Sequence, residues 1–189
     1  MVTQYLTRTI GVLLLTAFML PMMSLAQDSE VRASQHAMVM QKVGDTAELT
    51  FTFGRPGVKG RTVWGELVPY VSAQDAEATP WRAGANENTT FQTNQDLLIE
   101  GEPLPAGTYS IHMFPSEGEW VIAFNKEADQ WGSFGYNADE DALRVTVQPV
   151  EAPFQEWLVY GFDAIAPSSA SAFLHWESLK VPFNVELAP

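Results

Sequence analysis

The sequence predicts a mainly β protein: a single antiparallel β-sandwich, jelly-roll-like, that follows an N-terminal signal peptide. Three observations support this fold class. Apolar and polar residues alternate with a period of two along most of the chain, long helical periodicity is missing, and turns with Pro or Gly separate the alternating segments. Two sheets that each carry one apolar face bury those faces against each other, so a sandwich is the simplest architecture.

The individual strands follow from this alternation. The clearest strand is 47–53, where every second residue is apolar and the residues between them are Glu or Thr. Turns at 104–108 and 115–119 each lead into a further strand, and residues 72–79 predict a short helix or an acidic loop. The other predicted strands are 63–70, 89–93, 97–100, 109–114, 120–125, 143–148, 157–162, 170–176 and 181–187. No linker or internal repeat divides them, so one domain is predicted.

The start of the chain predicts export. An apolar run at residues 10–20 follows Arg8, and small residues flank Leu25 in Ser24-Leu25-Ala26, as a signal-peptidase site requires. We therefore predict a signal peptide at residues 1–26 and a mature domain at 27–189. A membrane anchor is the alternative, but the run of about eleven apolar residues is short for a bilayer, so we expect no membrane span after cleavage. The expected location is the bacterial periplasm or the medium.

Charge and cysteine content exclude several classes of protein. The full chain has a formal net charge of −13, and removal of Arg8 leaves nine basic and 23 acidic residues. This balance opposes binding to nucleic acid or to anionic lipid by bulk attraction. The chain has no cysteine, which excludes thiol nucleophiles, thiolate metal sites and disulfides, so packing alone must stabilise the exported fold.

Five of those nine basic residues fall in three polar blocks, residues 55–61, 81–87 and 125–132. The first block holds two Arg and one Lys around a Pro-Gly turn, and paired guanidinium donors match carboxylate or phosphate geometry. Trp81 and Trp131 are predicted to form aromatic walls, and Glu87 is an internal partner for the cations. The predicted binding residues are Arg55, Lys59, Arg61, Trp81, Arg82, Asn86, Glu87, Lys126, Gln130 and Trp131.

Motifs for catalysis and metal binding are weak. The three histidines are isolated in sequence, and we interpret His112 and His175 as strand residues rather than ligands. Residues 137–141 imitate the start of a calcium loop but lack its glycine and its closing glutamate, which favours an acidic turn. The catalytic candidates are Glu87 and Glu177, whose carboxyls would have to lie about 5–10 Å apart for glycoside cleavage. We expect no metal and no cofactor.

In this order the blocks resemble the DUF2911 family, a bacterial domain of unknown function, from about Ser34 onward. The matching stretches are 55–61, 67–70, 81–82, 84–87, 104–109, 124–126, 130–132, 143–145 and 176–177. The resemblance implies an exported, mainly β protein and no established activity. The chain departs from the family pattern at Gly54, where serine is usual, at Ala83, where threonine is usual, and at 71–80, which resembles an insertion that would cover or reshape a pocket.

Three functions are compatible with these observations. We favour a binding module for a carbohydrate or a small anionic ligand, because cations and tryptophans cluster without a standard catalytic motif. A structural or interaction protein of the cell envelope comes second, with the polar blocks acting as folding determinants. A carboxylate-dependent hydrolase of the glycosidase type comes third, so the sequence favours a binding protein over an enzyme.

Overall fold

Ten β-strands make up most of residues 32–189, the part of the chain that this computed structural model describes. The predicted signal peptide, residues 1–26, lies outside the described residues. The strands are β1 (Gln35–Val43), β2 (Ala47–Arg55), β3 (Thr90–Thr93), β4 (Leu97–Ile99), β5 (Glu102–Leu104), β6 (Gly107–Phe114), β7 (Trp120–Asn125), β8 (Asp141–Val147), β9 (Val150–Asp163) and β10 (Ser169–Leu187). A single 3-10 turn, Ala138–Glu140, precedes β8.

The strands form two antiparallel sheets. One has six strands in the order β1-β2-β3-β6-β7-β8, and the other has four in the order β5-β4-β10-β9. Neither sheet closes into a barrel, and residues 32–189 form one compact unit. The predicted mainly β, antiparallel fold is therefore confirmed. In the described residues, no helix is long and apolar enough to cross a membrane.

Aromatic side chains from both sheets pack between them. Phe51 on β2 is fully buried and stacks on Tyr160 of β9, with ring centroids 4.6 Å apart. Phe51 also contacts Phe91 of β3 at 4.9 Å and Phe183 of β10 at 6.2 Å. These contacts join neighbouring strands within one sheet and strands of opposite sheets, which is what the alternating apolar pattern requires of a sandwich.

Two predicted strands, 170–176 and 181–187, are parts of one strand, β10. Its buried positions are even-numbered up to Trp176 and odd-numbered from Val181 onward. The pairing with β9 shifts register on either side of Glu177, whose φ of 57° lies in the left-handed region. A bulge of this kind changes which side chains face the core without ending the strand. From the alternation of apolar residues alone, this shift in the buried positions predicts two separate strands.

Residues 63–70 are not a strand, so this prediction was wrong. Val63 and Val68 are both buried and joined by a backbone hydrogen bond of 2.8 Å from the Val68 N–H to the Val63 carbonyl. Gly65 has a φ of 83°, which reverses the chain between them. The apolar residues of this segment therefore stabilise a compact turn.

Residues 72–79 form a loop, which is one of the two predicted alternatives. Two strands, β1 and β5, were not predicted from the sequence.

Candidate functional site

Two adjoining clefts lie where the first two polar blocks meet the loop that follows β7. The Arg61 cleft, with a volume of about 320 Å³, is lined by Arg61, Leu67, Trp81, Arg82, Asn86 and Trp176 among others. The Ser133 cleft, of about 210 Å³, is lined by Leu67, Val71, Pro80, Trp81, Arg82, Ser133 and Phe134 among others. Leu67, Trp81 and Arg82 line both clefts, so they form the partition between them. Segments far apart in sequence thus converge on one region.

The two arginines of the Arg61 cleft are held by backbone carbonyls. Arg61 donates from Nη2 to the Gly57 carbonyl at 2.6 Å and from Nε to the Val58 carbonyl at 3.1 Å. Arg82 donates from Nη1 to the Asn86 carbonyl at 2.9 Å. Among residues 32–189, no carboxylate lies within 4.0 Å of either guanidinium. Both side chains are oriented but not neutralised, and their remaining donors are available to an anion.

Arg82 is further fixed by the loop after β7. Its guanidinium lies over the Phe134 ring at 5.7 Å. It also packs against Gly132, because a Cβ at that position would lie 3.0 Å from Arg82 Cζ. Gly132 has a φ of 64°, a conformation that glycine tolerates best. The second and third polar blocks therefore meet through Arg82 and Gly132.

Trp81 belongs to a cluster of four tryptophans. It stacks on Trp176 with centroids 6.0 Å apart and planes at 19°, and Trp64 meets it edge-on at 5.7 Å. Trp120 completes the cluster through Trp64, at 5.0 Å. Trp81 is half-buried and donates from Nε1 to the Gly84 carbonyl at 3.2 Å. It thus forms a rigid wall of the clefts, whereas the cluster itself was not foreseen from the sequence.

Arg55 and Lys59 belong to the first block but lie outside the lining of the two clefts. Arg55 donates from Nε to the Leu158 carbonyl at 2.9 Å, which ties the end of β2 to β9. Lys59 is exposed, and its Nζ lies 5.6 Å from the centre of the Trp157 ring. These contacts give Arg55 a bridging role between the sheets and leave Lys59 on the surface.

Glu87 pairs with Arg32, a residue that the sequence did not single out. The Arg32 Nη2 lies 2.6 Å from Glu87 Oε2, and both side chains are about two-fifths exposed, at 42% and 37%. This hydrogen bond lowers the pKa of Glu87. Glu87 is therefore the partner of a cation outside the three blocks, and an ionised, paired carboxylate of this kind is poorly suited to act as a general acid.

The third block contributes less to the clefts than predicted. Lys126 and Trp131 are exposed, Trp131 by 58%, and neither lines the Arg61 or the Ser133 cleft. Gln130 donates from Nε2 to the Glu127 carbonyl at 3.0 Å, which folds the loop on itself. Trp81 and Trp131 therefore do not form facing walls. The residues of this loop that reach the clefts are Ser133 and Phe134, which the sequence analysis passed over.

Glu177 lies at the bulge in β10 and accepts a hydrogen bond from the Ser178 hydroxyl at 3.0 Å. Trp176, its neighbour, is buried and lines the Arg61 cleft. Glu177 is not among the residues that line either cleft. The geometry thus does not support Glu87 and Glu177 as an acid and base pair.

Residues 137–141 form a capped turn. The Asn137 side chain accepts a hydrogen bond from the Asp139 N–H at 3.1 Å and caps the 3-10 turn. The Asp141 carboxylate accepts from Tyr136 Oη at 2.6 Å, from Arg144 Nε at 2.6 Å and from Asn125 Nδ2 at 2.9 Å. These protein donors occupy both carboxylate oxygens, which is the role of a loop anchor rather than a calcium ligand.

A third cavity, of about 640 Å³, is larger than either cleft and lies elsewhere. Tyr70 lines it together with Ser72 and Gln74 of the loop at 71–80, and the turn after β6 contributes Glu117 and Glu119. Its lining residues include two carboxylates and no Lys or Arg. An anion would be repelled there, so the smaller Arg61 cleft is the better anion site despite its size.

Gly54 lies directly under the second block. A Cβ at Gly54 would lie 2.0 Å from the Ala85 carbonyl oxygen, well inside van der Waals contact. The serine that is usual in the resembling family would not fit unless residues 83–86 moved. Glycine at position 54, in place of the usual serine, therefore allows the close approach of Ala85, which lines the Arg61 cleft.

Gly54→Ala is expected to lower the free energy of unfolding by about 1–3 kcal/mol, the usual cost of overpacking a fixed site. Urea unfolding at neutral pH measures it. Gly118→Ala is the matched control, because its nearest neighbour would be Ser116 Oγ at 3.9 Å. Equal midpoints for the two variants would contradict the steric account.

A family model described as "Protein of unknown function (DUF2911)" matches residues 34–185 of the 189-residue chain. No curated protein and no solved structure matches the chain. The matched range includes every strand except the last residues of β10. Both clefts lie within it.

Proposed function

We propose that this chain, a member of the DUF2911 family, is an exported binding protein for a small anionic ligand, a sugar acid or a related carboxylate. The Arg61 cleft is the binding site in this proposal. Arg61 and Arg82 supply the charge, and Trp81 supplies an apolar face. In this proposal the predicted export directs the protein to the periplasm or the medium, where it would meet its ligand.

The observation that carries this proposal is the pair of guanidinium groups without a carboxylate partner. On a chain with a net charge of −13, acidic side chains are abundant, yet the four ion pairs of the described residues use neither Arg61 nor Arg82. Arg82 is half-buried, where arginines that serve only to hold a fold are commonly paired, and Arg61 is exposed. The carbonyl contacts orient both guanidinium groups, and their remaining N–H donors match the geometry of a carboxylate or phosphate.

The size and wall of the cleft fit the same class of ligand. Its volume of about 320 Å³ is at the lower end of ligand pockets, which suits a single sugar ring. The Trp81 ring is immobilised by stacking on Trp176, so a ligand that packs on it does not have to order it. A rigid indole beside two cations would contact the apolar face of a sugar while the arginines bind its carboxylate.

The test is isothermal titration of the purified protein with glucuronate, galacturonate and inorganic phosphate, with glucose as the uncharged match for glucuronate. We expect one of the anions to bind and glucose to bind at least tenfold more weakly. Arg82→Ala and Arg61→Ala are each expected to weaken binding by about tenfold to a hundredfold, the worth of hydrogen bonds to a charged group. Arg82→Lys should recover part of the loss, since it keeps the charge but not the planar fork.

Lys126→Ala is the control for a general loss of positive charge, because Lys126 is exposed and lies outside the cleft. It should leave affinity unchanged. Thermal unfolding of the same variants tests the structural alternative, in which the blocks act as folding determinants. If Arg82→Ala and Arg61→Ala unfold well below the wild-type temperature and no anion binds to the wild type, the structural alternative replaces the binding proposal.

A further inference from the structure

A buried line of three polar side chains lies between β6 and the loop after β7, and it ends at the Ser133 cleft. Ser110 and His112, both on β6, are fully buried, and Ser133 in the loop after β7 is 7% exposed. Ser110 Oγ lies 3.0 Å from His112 Nε2, and His112 Nδ1 lies 2.9 Å from Ser133 Oγ. Buried polar groups are costly unless they are paired, so this line is a specific feature of the fold.

His112 bonds to one hydroxyl at each ring nitrogen, and its tautomer decides which hydroxyl donates. The Ser110 hydroxyl also lies 3.5 Å from the Asn125 carbonyl, which offers its proton a second acceptor. In the tautomer protonated at Nε2, Ser110 accepts from Nε2–H and Ser133 donates its hydroxyl proton to Nδ1. Ser133 in this tautomer donates to a neutral base that a third group orients, which is the arrangement of an activated serine nucleophile.

Ser133 has access to a ligand. It is one of the residues that line the Ser133 cleft, together with Arg82 and Phe134. The preceding residue, Gly132, packs against the Arg82 guanidinium, and this guanidinium lines the same cleft as Ser133. A cation in this position would stabilise an oxyanion that forms on a carbonyl group attacked by Ser133.

We propose that Ser133 is a nucleophile activated by His112, and that the Ser133 cleft hydrolyses small carboxylic esters. The inference goes beyond the binding of an anion, and the two sites share Arg82. An acyl group attached to a sugar acid would occupy both clefts at once, with its carboxylate in the Arg61 cleft and its ester at Ser133.

The reaction balances without a further reagent. Ser133 Oγ forms a bond to the ester carbonyl carbon while its proton passes to His112 Nδ1, and the resulting oxyanion faces Arg82. The intermediate collapses, the bond from carbon to the alcohol oxygen breaks, and that oxygen takes the proton from Nδ1. Water attacks the acyl-serine by the same route, which releases the carboxylic acid and restores the Ser133 hydroxyl.

The surroundings of His112 keep its imidazole neutral. Burial lowers the pKa of His112 to about 4, which weakens the ring as a base but leaves it unprotonated at neutral pH. The nearby Asp141 carboxylate acts in the opposite direction and favours the imidazolium that forms during the reaction. The Tyr136 ring packs on His112 with centroids 4.7 Å apart, and Tyr136 in turn donates to Asp141. The base is therefore held in place from two sides.

The test combines turnover and covalent labelling of the purified protein. We expect hydrolysis of p-nitrophenyl acetate above the buffer rate, and labelling by a fluorophosphonate that peptide mass spectrometry locates on Ser133. Ser133→Ala should reduce turnover at least a hundredfold, the scale of assisted proton transfer, and should abolish labelling. Ser168→Ala, an exposed serine of the β9–β10 loop, is the matched control and should behave as wild type.

Circular dichroism of Ser133→Ala separates loss of activity from loss of fold. The proposal is overturned if wild type and Ser133→Ala hydrolyse the ester at the same rate, or if the label appears on another residue or on none. Its failure is distinguishable from that of anion binding, because Ser133→Ala leaves the Arg61 cleft intact. A protein that binds glucuronate but does not react is a binding protein only.

Discussion

Asp141→Ala is expected to lower the free energy of unfolding by about 3–5 kcal/mol, the cost of opening a network built around a buried charge. The Asp141 side chain is only 7% exposed and joins three partners, Tyr136, Arg144 and Asn125. Its removal leaves the Tyr136 hydroxyl and one Asn125 donor without their acceptor. Because Tyr136 packs on His112, the same change also loosens the loop that carries Ser133. Chemical denaturation measures the difference directly.

Asp139→Ala is the matched control for Asp141→Ala. It removes an exposed carboxylate two residues away, in the same 3-10 turn. Within residues 32–189, the Asp139 carboxylate accepts no hydrogen bond, and only its backbone N–H is bonded, to Asn137. The expected change is within about 0.5 kcal/mol, as for most surface positions. If both variants unfolded at the same denaturant concentration, the loop would not depend on the Asp141 network.

Acidification from pH 7 to pH 4 is expected to remove about 3 kcal/mol of stability through His112 alone. Burial lowers the pKa of His112 from an ordinary 6.5 to about 4 in the folded protein. Between these two values the unfolded chain binds more protons than the folded one, so stability rises with pH in this window. The contribution is complete above about pH 6.5 and is lost progressively as the pH falls toward 4.

The measurement is urea unfolding of wild type and His112→Gln at intervals between pH 4 and pH 8. Subtraction of the two curves removes the titration of the carboxylates that both proteins share. We expect the difference in unfolding free energy between the two proteins to change by about 3 kcal/mol between pH 7 and pH 4. NMR titration of wild type should in addition show the His112 ring neutral down to about pH 4. A folded-state pKa near 6.5 for His112 would contradict the prediction that burial lowers the pKa of this ring.

The sequence predicted the strands whose every second residue lies in the core and missed those that do not follow this rule. The alternation from Ala47 to Phe53 corresponds to β2. Residues 120–125 coincide with β7, where Trp120, Ile122 and Phe124 lie in the core although the other face of the strand is largely buried too. Strand β1 escaped notice because Met38 and Met40 lie on its exposed side, where polar residues are expected. Residues 63–70 alternate in the same way but turn at Gly65, and periodicity does not register such a turn.

The structure brings some of the predicted site residues together and separates others. The positions of Arg61, Trp81, Arg82 and Asn86 in one cleft agree with the expectation that distant blocks converge. Glu87 and Trp131 were placed there on residue type alone, and the structure puts them elsewhere. Ser133 and His112 carried no motif, because the proposed nucleophile and its base come from different elements and their spacing of 21 residues matches no common pattern.

The sequence by itself determined the mainly β fold, through alternation of apolar residues, and the acidic character of the chain with its few clustered cations. These properties are local or additive, so they can be read from neighbouring positions. Only the tertiary structure decided which cations among residues 32–189 remain without a carboxylate and which serine contacts a histidine. Such contacts depend on where separate loops and strands meet, and that is fixed by packing of the whole sandwich rather than by any one segment.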